Sequence, residues 1–257
     1  MSKIATWNVN SVKVRMPHLT EWLGTFQPDI LMLQEIKCTS SEFPAMELKA
    51  LGYHVNCVGQ KTYNGVALLS KLPATDLVEA LPGDDGDSQA RYLEATVGDL
   101  RVASIYLPNG NPVDTDKFTY KLAWLDRLGR HARSLLASER KVVLAGDFNV
   151  CPTDIDVYDP VAFSNDALCR AESRSRFRAL INQGYTDAFR ALFPRSHAYS
   201  FWDYQGGAWQ RDLGLRIDHL LLSPQAADRL VAVGIDRKPR DKEKASDHTP
   251  VWCELGD

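Results

Sequence analysis

Short runs of Val, Ile and Leu alternate with longer segments of helical period along all 257 residues of the chain. No Pro-, Gly- or Ser-rich stretch and no shift in composition marks a linker between two units. Strands that alternate with helices form sheets covered by helices. The pattern therefore predicts one α/β domain that spans residues 1–257, and this organisation excludes repeat and fibrous architectures.

Strands are predicted where the apolar runs are shortest and richest in β-branched residues. A first helix is predicted to end near Phe26, before Pro28, a second to cover Asp116–Ala137, and a third to cover Glu172–Gln183 with Gly184 as its C′ residue. The predicted strands are Lys3–Asn8, Ile30–Gln34, Val66–Ser70, Leu93–Val97, Val102–Tyr106, Lys141–Ala145, Ile217–Ser223 and Val251–Leu255.

The charge and cysteine content narrow the class of protein. The chain carries 30 Lys+Arg against 33 Asp+Glu and is 44% hydrophobic, which excludes a disordered chain. Its five cysteines are odd in number and form no Cys-x-x-Cys, which argues against a disulfide framework and a zinc site. No stretch of about 18 apolar residues occurs, so we expect a cytoplasmic protein that does not span a membrane.

Several familiar site motifs are absent. The chain has no Walker loop, no Gly-x-Gly-x-x-Gly after a strand, no Gly-x-Ser-x-Gly and no His-Glu-x-x-His. The acidic run Asp154–Asp159 lacks the glycine and the terminal glutamate of an EF-hand loop. These absences disfavour nucleotide-driven motors, dinucleotide oxidoreductases, serine hydrolases and zinc proteases.

Oxygen-bearing side chains stand at the ends of the predicted strands. Asp147 and Asn149 follow one strand, and residues two apart in an extended chain point to the same face. Asn8 and Asn10 repeat that spacing, and Asp218 falls inside an apolar strand, where a carboxylate is costly unless paired. Oxygen ligands of this kind suit Mg²⁺ or Mn²⁺ rather than zinc. The other oxygen-bearing members of the set are Glu35 and Asp247, and His248 adds an imidazole directly after Asp247.

Seven strings of this sequence, in order along nearly the whole chain, resemble the exonuclease III family of apurinic/apyrimidinic endonucleases. This family lies within the endonuclease/exonuclease/phosphatase superfamily. One such string would carry little weight, but seven in the family's order make coincidence implausible. The strings are Trp7–Ser11, Leu33–Lys37, Tyr63–Lys71, Tyr106–Gly110, Gly146–Asn149, Leu215–Asp218 and Ser246–His248.

The resemblance implies a fold and an activity. The fold is a four-layer αββα sandwich of two β-sheets flanked by helices, with one divalent-metal site for Mg²⁺, or for Mn²⁺ as an alternative. The activity is that of a Mg²⁺-dependent nuclease that cleaves duplex DNA 5′ to abasic sites, with 3′→5′ exonuclease activity and trimming of blocked 3′ ends. We expect the protein to be a monomer. Tyr106 stands where the phosphodiesterase branches of the superfamily carry a His.

The resemblance also implies roles for individual residues. Either Asp147 or His248 takes the proton from the attacking water, and Asp218 fixes the tautomer of His248. Tyr106 and Asn149 donate hydrogen bonds to the charge that develops on the phosphate. The implied metal ligands are Asn8, Glu35, Asp147, Asn149 and Asp247. The implied substrate contacts are Asn10, Asn109, Phe201, Trp209, Leu215 and Ile217.

Two other readings remain open from the sequence. One is a phosphodiesterase that acts on RNA, a lipid headgroup or an inositol phosphate, which the tyrosine at position 106 disfavours. The other is a non-catalytic DNA-binding module, which would need missing ligands, whereas all the expected ones are present. Within the nuclease reading, we expect Phe201, Leu215 and Ile217 to form an apolar pocket that just fits a sugar without a base.

Overall fold

The computed structural model describes all residues from 1 to 257. Its strands are β1 Ser2–Asn8, β2 Ile30–Gln34, β3 His54–Val58, β4 Val66–Ser70, β5 Ala74–Val78, β6 Tyr92–Val97, β7 Leu100–Tyr106, β8 Lys141–Asp147, β9 Thr186–Asp187, β10 Asp218–Leu222, β11 Leu230–Ile235 and β12 Val251–Leu255. Its α-helices are α1 Val12–Phe26, α2 Ala45–Ala50, α3 Asp116–Leu136, α4 Ala171–Ile181, α5 Ala188–Leu192 and α6 Pro224–Ala227. Short 3₁₀ turns cover Ser40–Glu42, Asp154–Asp156 and Lys238–Asp241.

The strands form two mixed sheets of six strands each. The order in sheet 1 is β11-β12-β1-β2-β4-β3, and the order in sheet 2 is β5-β6-β7-β8-β10-β9. Each sheet contains one parallel pair, β1 with β2 and β7 with β8, and a long helix connects the two strands of each pair. The remaining neighbours are antiparallel, so each sheet combines a helix crossover with hairpins.

The two sheets pack face to face, and helices cover their outer faces. Alternation along β1 places Ile4 in the core between the sheets and Ala5 in the core under α1. On the other side, Val143 faces the first sheet while Val142 packs against α3 and α4. The layers are thus helix, sheet, sheet and helix, which confirms the predicted αββα sandwich.

All three predicted helices are present, and their predicted ends lie within two residues of the observed ones. Helix α1 ends at Phe26, and Gln27 closes it in the left-handed conformation. Helix α3 begins at the predicted Asp116 and ends one residue early. The prediction that Gly184 is the C′ residue of α4 was wrong, because the helix ends at Ile181 and Asn182 caps it; Gly184 follows two residues after that cap, with φ +128°.

The four strands that the sequence patterns missed are the four sheet edges, β3, β11, β5 and β9. An edge strand has a neighbour on one side only and is less completely covered. Strand β5 is exposed at three of its five residues, and β9 has only two residues. A half-covered or very short strand lacks the continuous apolar run on which the prediction relied.

None of the helices combines the length and apolar character that crossing a bilayer requires.

Candidate active site

Three predicted residues meet at one end of sheet 2 because the strands that carry them are in register. Tyr106, the last residue of β7, pairs with Asp147, the last residue of β8. Asp147 also pairs with Asp218 on the antiparallel neighbour. The expectation that Asp218 lies in the middle of a strand was wrong, since β10 begins with it. Its carboxylate therefore lies at the sheet end, beside the other two groups.

Sheet 1 brings its own polar groups to the same place. Asn8, the last residue of β1, pairs with the last residue of β2, so that Glu35 follows immediately at the same edge. The Asn8 side chain donates through Nδ2 to Glu35 Oε1 at 2.9 Å and to Asp147 Oδ2 at 3.0 Å. One buried amide thus joins the carboxylates of the two sheets.

Tight turns follow both central strands, and they orient the side chains at the strand ends. Asn10 and Asn149 have left-handed backbones, with φ +43° and +46°, which asparagine tolerates better than most residues. Each donates its backbone N–H to the side chain two residues earlier, to Asn8 Oδ1 at 3.0 Å and to Asp147 Oδ1 at 2.9 Å. The expectation of an extended chain with both side chains on one face was therefore wrong at these two positions.

Lys37 is a site residue that the sequence reasoning missed. Its Nζ lies 2.8 Å from Glu35 Oε2 and also donates to Asn10 Oδ1. Glu35 and Lys37 both have left-handed backbones, with φ +50° and +53°. Left-handed non-glycine residues cost free energy and concentrate at functional sites. The signal was present in the string Leu33–Lys37, where a cation follows the acid by two residues.

Three groups converge closely enough to hold a cation. One ligand atom each from Glu35, Asp147 and His248 lies within 4.8 Å of the others. Asp147 and His248 are buried. The carboxylates of Glu35 and Asp147 lie close enough to repel each other unless a positive charge lies between or beside them. The hard carboxylate oxygens of Glu35 and Asp147 are donors that suit a small divalent cation. The residues present therefore fit the metal that the fold family implies.

Two of the predicted ligands lie outside this cluster. Asp247 accepts a hydrogen bond from Asn10 Nδ2 at 3.1 Å. Asn10 in turn accepts a hydrogen bond from Lys37, which pairs with Glu35, so Asp247 is linked to Glu35 through these two residues. Asn149 uses its carboxamide for the protein itself: Oδ1 accepts from Asn109 Nδ2 at 3.1 Å, and Nδ2 donates to Leu107 O at 2.9 Å. A carboxamide nitrogen carries two hydrogens, so one donor of Asn149 remains available for a ligand.

His248 is held by a buried acid. Its Nδ1 lies 2.9 Å from Asp218 Oδ2, and Ser200 Oγ donates to the same oxygen at 2.6 Å. Burial alone would lower the pKa of His248 from 6.5, but the carboxylates of Asp218 and Asp147 outweigh burial and raise the pKa to about 10. The ring is therefore protonated at neutral pH, with Nε2 3.7 Å from Asp147 Oδ2.

The other titratable groups are shifted by the same low-dielectric surroundings. Burial raises the pKa of Asp147, the charges of Asp218 and Glu35 raise it further, and His248 opposes them. Burial also raises the pKa of Tyr106 well above its usual range, and the carboxylates of Glu35 and Asp147 add to this rise. The phenol of Tyr106 therefore remains a hydrogen-bond donor at all ordinary pH values.

A pocket of about 530 Å³ lies beside the cluster of Glu35, Asp147 and His248. Of the predicted substrate contacts, Phe201, Leu215 and Asn109 line it. The Phe201 ring packs against the His248 ring with centroids 5.0 Å apart, which connects the pocket to the cluster. The pocket is larger and more polar than the sugar-sized apolar pocket expected from the sequence, since Asp166 is also among its lining residues.

The pocket lining does not include three of the predicted substrate residues, Asn10, Ile217 and Trp209. Ile217 is 2% exposed and packs in the core beside the pocket wall. Trp209 packs edge-on against Trp202 at 4.8 Å between ring centroids, and its Nε1 donates to Asp241 Oδ1 at 3.1 Å. The guanidinium of Arg237 lies 4.8 Å from both indole rings. Trp209 thus anchors the Gln205–Leu213 loop to the body of the protein.

The fold and this constellation of acid, amide and imidazole groups define a class of enzyme, and the chain belongs to the Endonuclease/Exonuclease/phosphatase family, whose model matches residues 5–248. The chain is 33% identical to exodeoxyribonuclease III of Haemophilus influenzae, over 98% of this chain and 99% of that protein. These similarities confirm the resemblance to the exonuclease III family.

Solved structures agree with this assignment. A 3′ phosphatase from Neisseria, NExo, solved with a product DNA hairpin, superposes with a TM-score of 0.98 at 41% identity and full coverage of both chains. An AP endonuclease from Archaeoglobus fulgidus superposes with a TM-score of 0.96 at 36% identity, covering 99% of each chain. Enzymes with different named activities on DNA thus share this fold closely.

Proposed function

We propose that the protein is a DNA repair nuclease that hydrolyses the phosphodiester 5′ to an abasic site in duplex DNA and also trims 3′ ends that are blocked or recessed. The observation that carries the proposal is the convergence of Glu35, Asp147 and His248 from two sheets at one end of the sandwich. The named activities of its relatives, an exodeoxyribonuclease III, a 3′ phosphatase and an AP endonuclease, support the same chemistry.

The cofactor proposed for this site is Mg²⁺, with Mn²⁺ as a substitute. Glu35 and Asp147 would hold the ion, and Asn8 keeps their oxygens together through its two hydrogen bonds. When bound, the ion neutralises phosphate charge and polarises a phosphate oxygen. All residues of the site come from one chain, so a monomer suffices for the reaction.

Proton transfer is assigned to Asp147, and charge stabilisation to His248. The doubly paired imidazole of His248 is protonated, so it can donate a hydrogen bond to the phosphate but cannot accept a proton from water. Asp147 has one oxygen held by the Asn149 amide and the other by Asn8 Nδ2, so its carboxylate is fixed in place to take the proton of the attacking water. Asp218 acts through His248, whose ring orientation it fixes.

The developing negative charge on phosphorus receives two further neutral donors. Tyr106 offers a phenol that stays protonated, and Asn149 offers the one N–H that its neighbours leave free. Donors fixed before the reaction stabilise the transition state without the cost of reorientation. In this proposal Asn149 is therefore a donor to the phosphate.

The proposal is tested with matched DNA substrates. Purified protein is incubated with Mg²⁺ or with EDTA on duplexes that carry an abasic-site analogue, a recessed 3′ end or a 3′-phosphate, and on a single-stranded RNA and a phosphoinositide. We expect Mg²⁺-dependent cleavage of the DNA substrates that leaves a 3′-hydroxyl. Cleavage of RNA or phosphoinositide at higher kcat/KM than any DNA substrate would overturn the proposal.

A further inference from the structure

Lys121 is a buried basic side chain that the mechanism above does not use. It lies in the second turn of α3 and is 0% exposed. Its terminal nitrogen donates to two backbone carbonyl oxygens, of Asn109 at 2.9 Å and of Asn149 at 2.5 Å. No sequence pattern singles it out, because a lysine on a helix is ordinarily exposed.

The two residues that Lys121 binds are also bonded to each other. Asn109 Nδ2 donates to Asn149 Oδ1 at 3.1 Å. Lys121, Asn109 and Asn149 therefore form a ring of three hydrogen bonds, which joins the loop after β7 to the loop after β8. The fit is close: a Cβ added to Gly110, whose φ is +90°, would lie 2.5 Å from Lys121 Cδ. The β7 loop therefore needs glycine at this position to lie over the lysine stem.

The ring has a physical cost and a physical benefit. A basic nitrogen taken out of water costs free energy unless hydrogen bonds replace its hydration. The carbonyl of Asn149 belongs to a left-handed turn. Leaving this buried carbonyl without a hydrogen-bond donor would also cost free energy. Lys121 satisfies this carbonyl and that of Asn109 together, which fixes the backbone on which the Asn149 carboxamide is mounted.

We propose that Lys121 is a positioning residue for catalysis that holds the free N–H of Asn149 in the direction of the scissile phosphate. The inference rests on the proposed function, because it assigns Lys121 to the same phosphate-stabilising donor. A donor aimed at the transition state contributes more there than in the ground state. Loss of Lys121 should therefore lower kcat much more than it raises KM.

The test compares three variants. Lys121→Met removes the donor with little change in volume, and Lys121→Arg restores donors to the same place. Arg127→Met is the matched control, since Arg127 is a 6%-exposed cation of the same helix that pairs with Asp84 and Asp87. We expect Lys121→Met to lower kcat on the abasic duplex by about 10- to 100-fold with KM changed less than about threefold, as for other losses of groups that orient a catalytic donor. Lys121→Arg should recover most of kcat, and Arg127→Met should keep it within about twofold of the wild type while losing stability.

A second measurement separates this inference from the proposed function. Side-chain amide NMR signals of Asn109 and Asn149 should move in Lys121→Met and stay in place in Arg127→Met, with no substrate present. A wild type that cleaves no DNA would refute the proposed function, and the amide signals would still report on the ring. A Lys121→Met protein with wild-type kcat, with unmoved amide signals, or with an equal loss in Arg127→Met would overturn the positioning role.

Discussion

The substitution Asp218→Asn tests how the site holds His248. Asp218 Oδ2 lies 2.9 Å from His248 Nδ1, and Ser200 Oγ also donates to that oxygen. An asparagine keeps the size and one acceptor oxygen but removes the charge. The variant therefore separates the electrostatic role of Asp218 from its role in packing.

The size of the effect follows from the pKa of His248. A rise from 6.5 to about 10 corresponds to about 5 kcal/mol of preference for the charged ring, and Asp218 is the largest contributor that raises it. Removing one partner of a buried ion pair costs about 3–5 kcal/mol of the free energy of unfolding. Because the folded pKa is raised, this stabilisation is fully present below pH 6.5 and is lost as pH rises through about 10.

Two assays measure these effects in the metal-free protein. NMR titration of the ring carbons gives the pKa of His248, which should fall by more than about one unit in Asp218→Asn. Urea unfolding at pH 6 and at pH 10 gives the free energy of unfolding of the wild type and of Asp218→Asn. The difference between the wild type and the variant should be smaller at pH 10. A variant whose His248 still titrates near pH 10 would refute the reasoning, since Asp147 alone would then hold the charge.

The remaining predictions concern single side chains. Asp147→Asn should lower kcat by orders of magnitude while DNA affinity, measured by fluorescence anisotropy, stays near wild type; a parallel loss of affinity would point to substrate positioning instead. Glu35→Ala should weaken Mn²⁺ binding in calorimetry and abolish activity at ordinary Mg²⁺ concentration, so wild-type rates would contradict its assignment. Leu215→Ala should raise cleavage at undamaged nucleotides relative to abasic sites, and equal fold changes on both substrates would show a packing role only. Although burial opposes the shift, Arg216 holds the pKa of Asp156 far below its usual range. Asp156→Asn should therefore lower the free energy of unfolding by about 3–5 kcal/mol at pH 7. In urea unfolding, the difference between wild type and variant should narrow only as pH falls below about 4.

The sequence predicted the central strands and missed the edges for a physical reason. Strands such as β2, buried at all five residues, carry a continuous apolar run because helices and the second sheet cover both faces. Strand β3 is exposed or half-buried throughout, and its sequence His-Val-Asn-Cys-Val carries no such run. The buried strands were therefore enough to predict the architecture, but the number of strands in each sheet could not be predicted from them.

The site was predictable as a set of residues, and its geometry was not. Strand register brings Tyr106, Asp147 and Asp218 together, and no local pattern encodes register. The left-handed turns at Asn10 and Asn149 depend on side-chain hydrogen bonds, which an argument from extended-chain periodicity ignores.

Besides Lys37, the sequence reasoning missed two residues that act through others. Ser200 and Lys121 bind site residues from neighbouring segments of the chain, at sequence separations of 18 and 28 residues from Asp218 and Asn149. Such partners become visible only when the fold is known.

The most direct measurement of the central claim follows the oxygen of the attacking water. The protein is incubated with Mg²⁺ and an abasic duplex in water enriched in ¹⁸O, and both fragments are analysed by mass spectrometry. Hydrolysis at phosphorus predicts one ¹⁸O in the phosphate that remains on the abasic fragment and an unlabelled 3′-hydroxyl on the other. Strand scission with no ¹⁸O in the phosphate of either fragment would contradict the account, because it would show elimination at the sugar instead of attack by water on the phosphate.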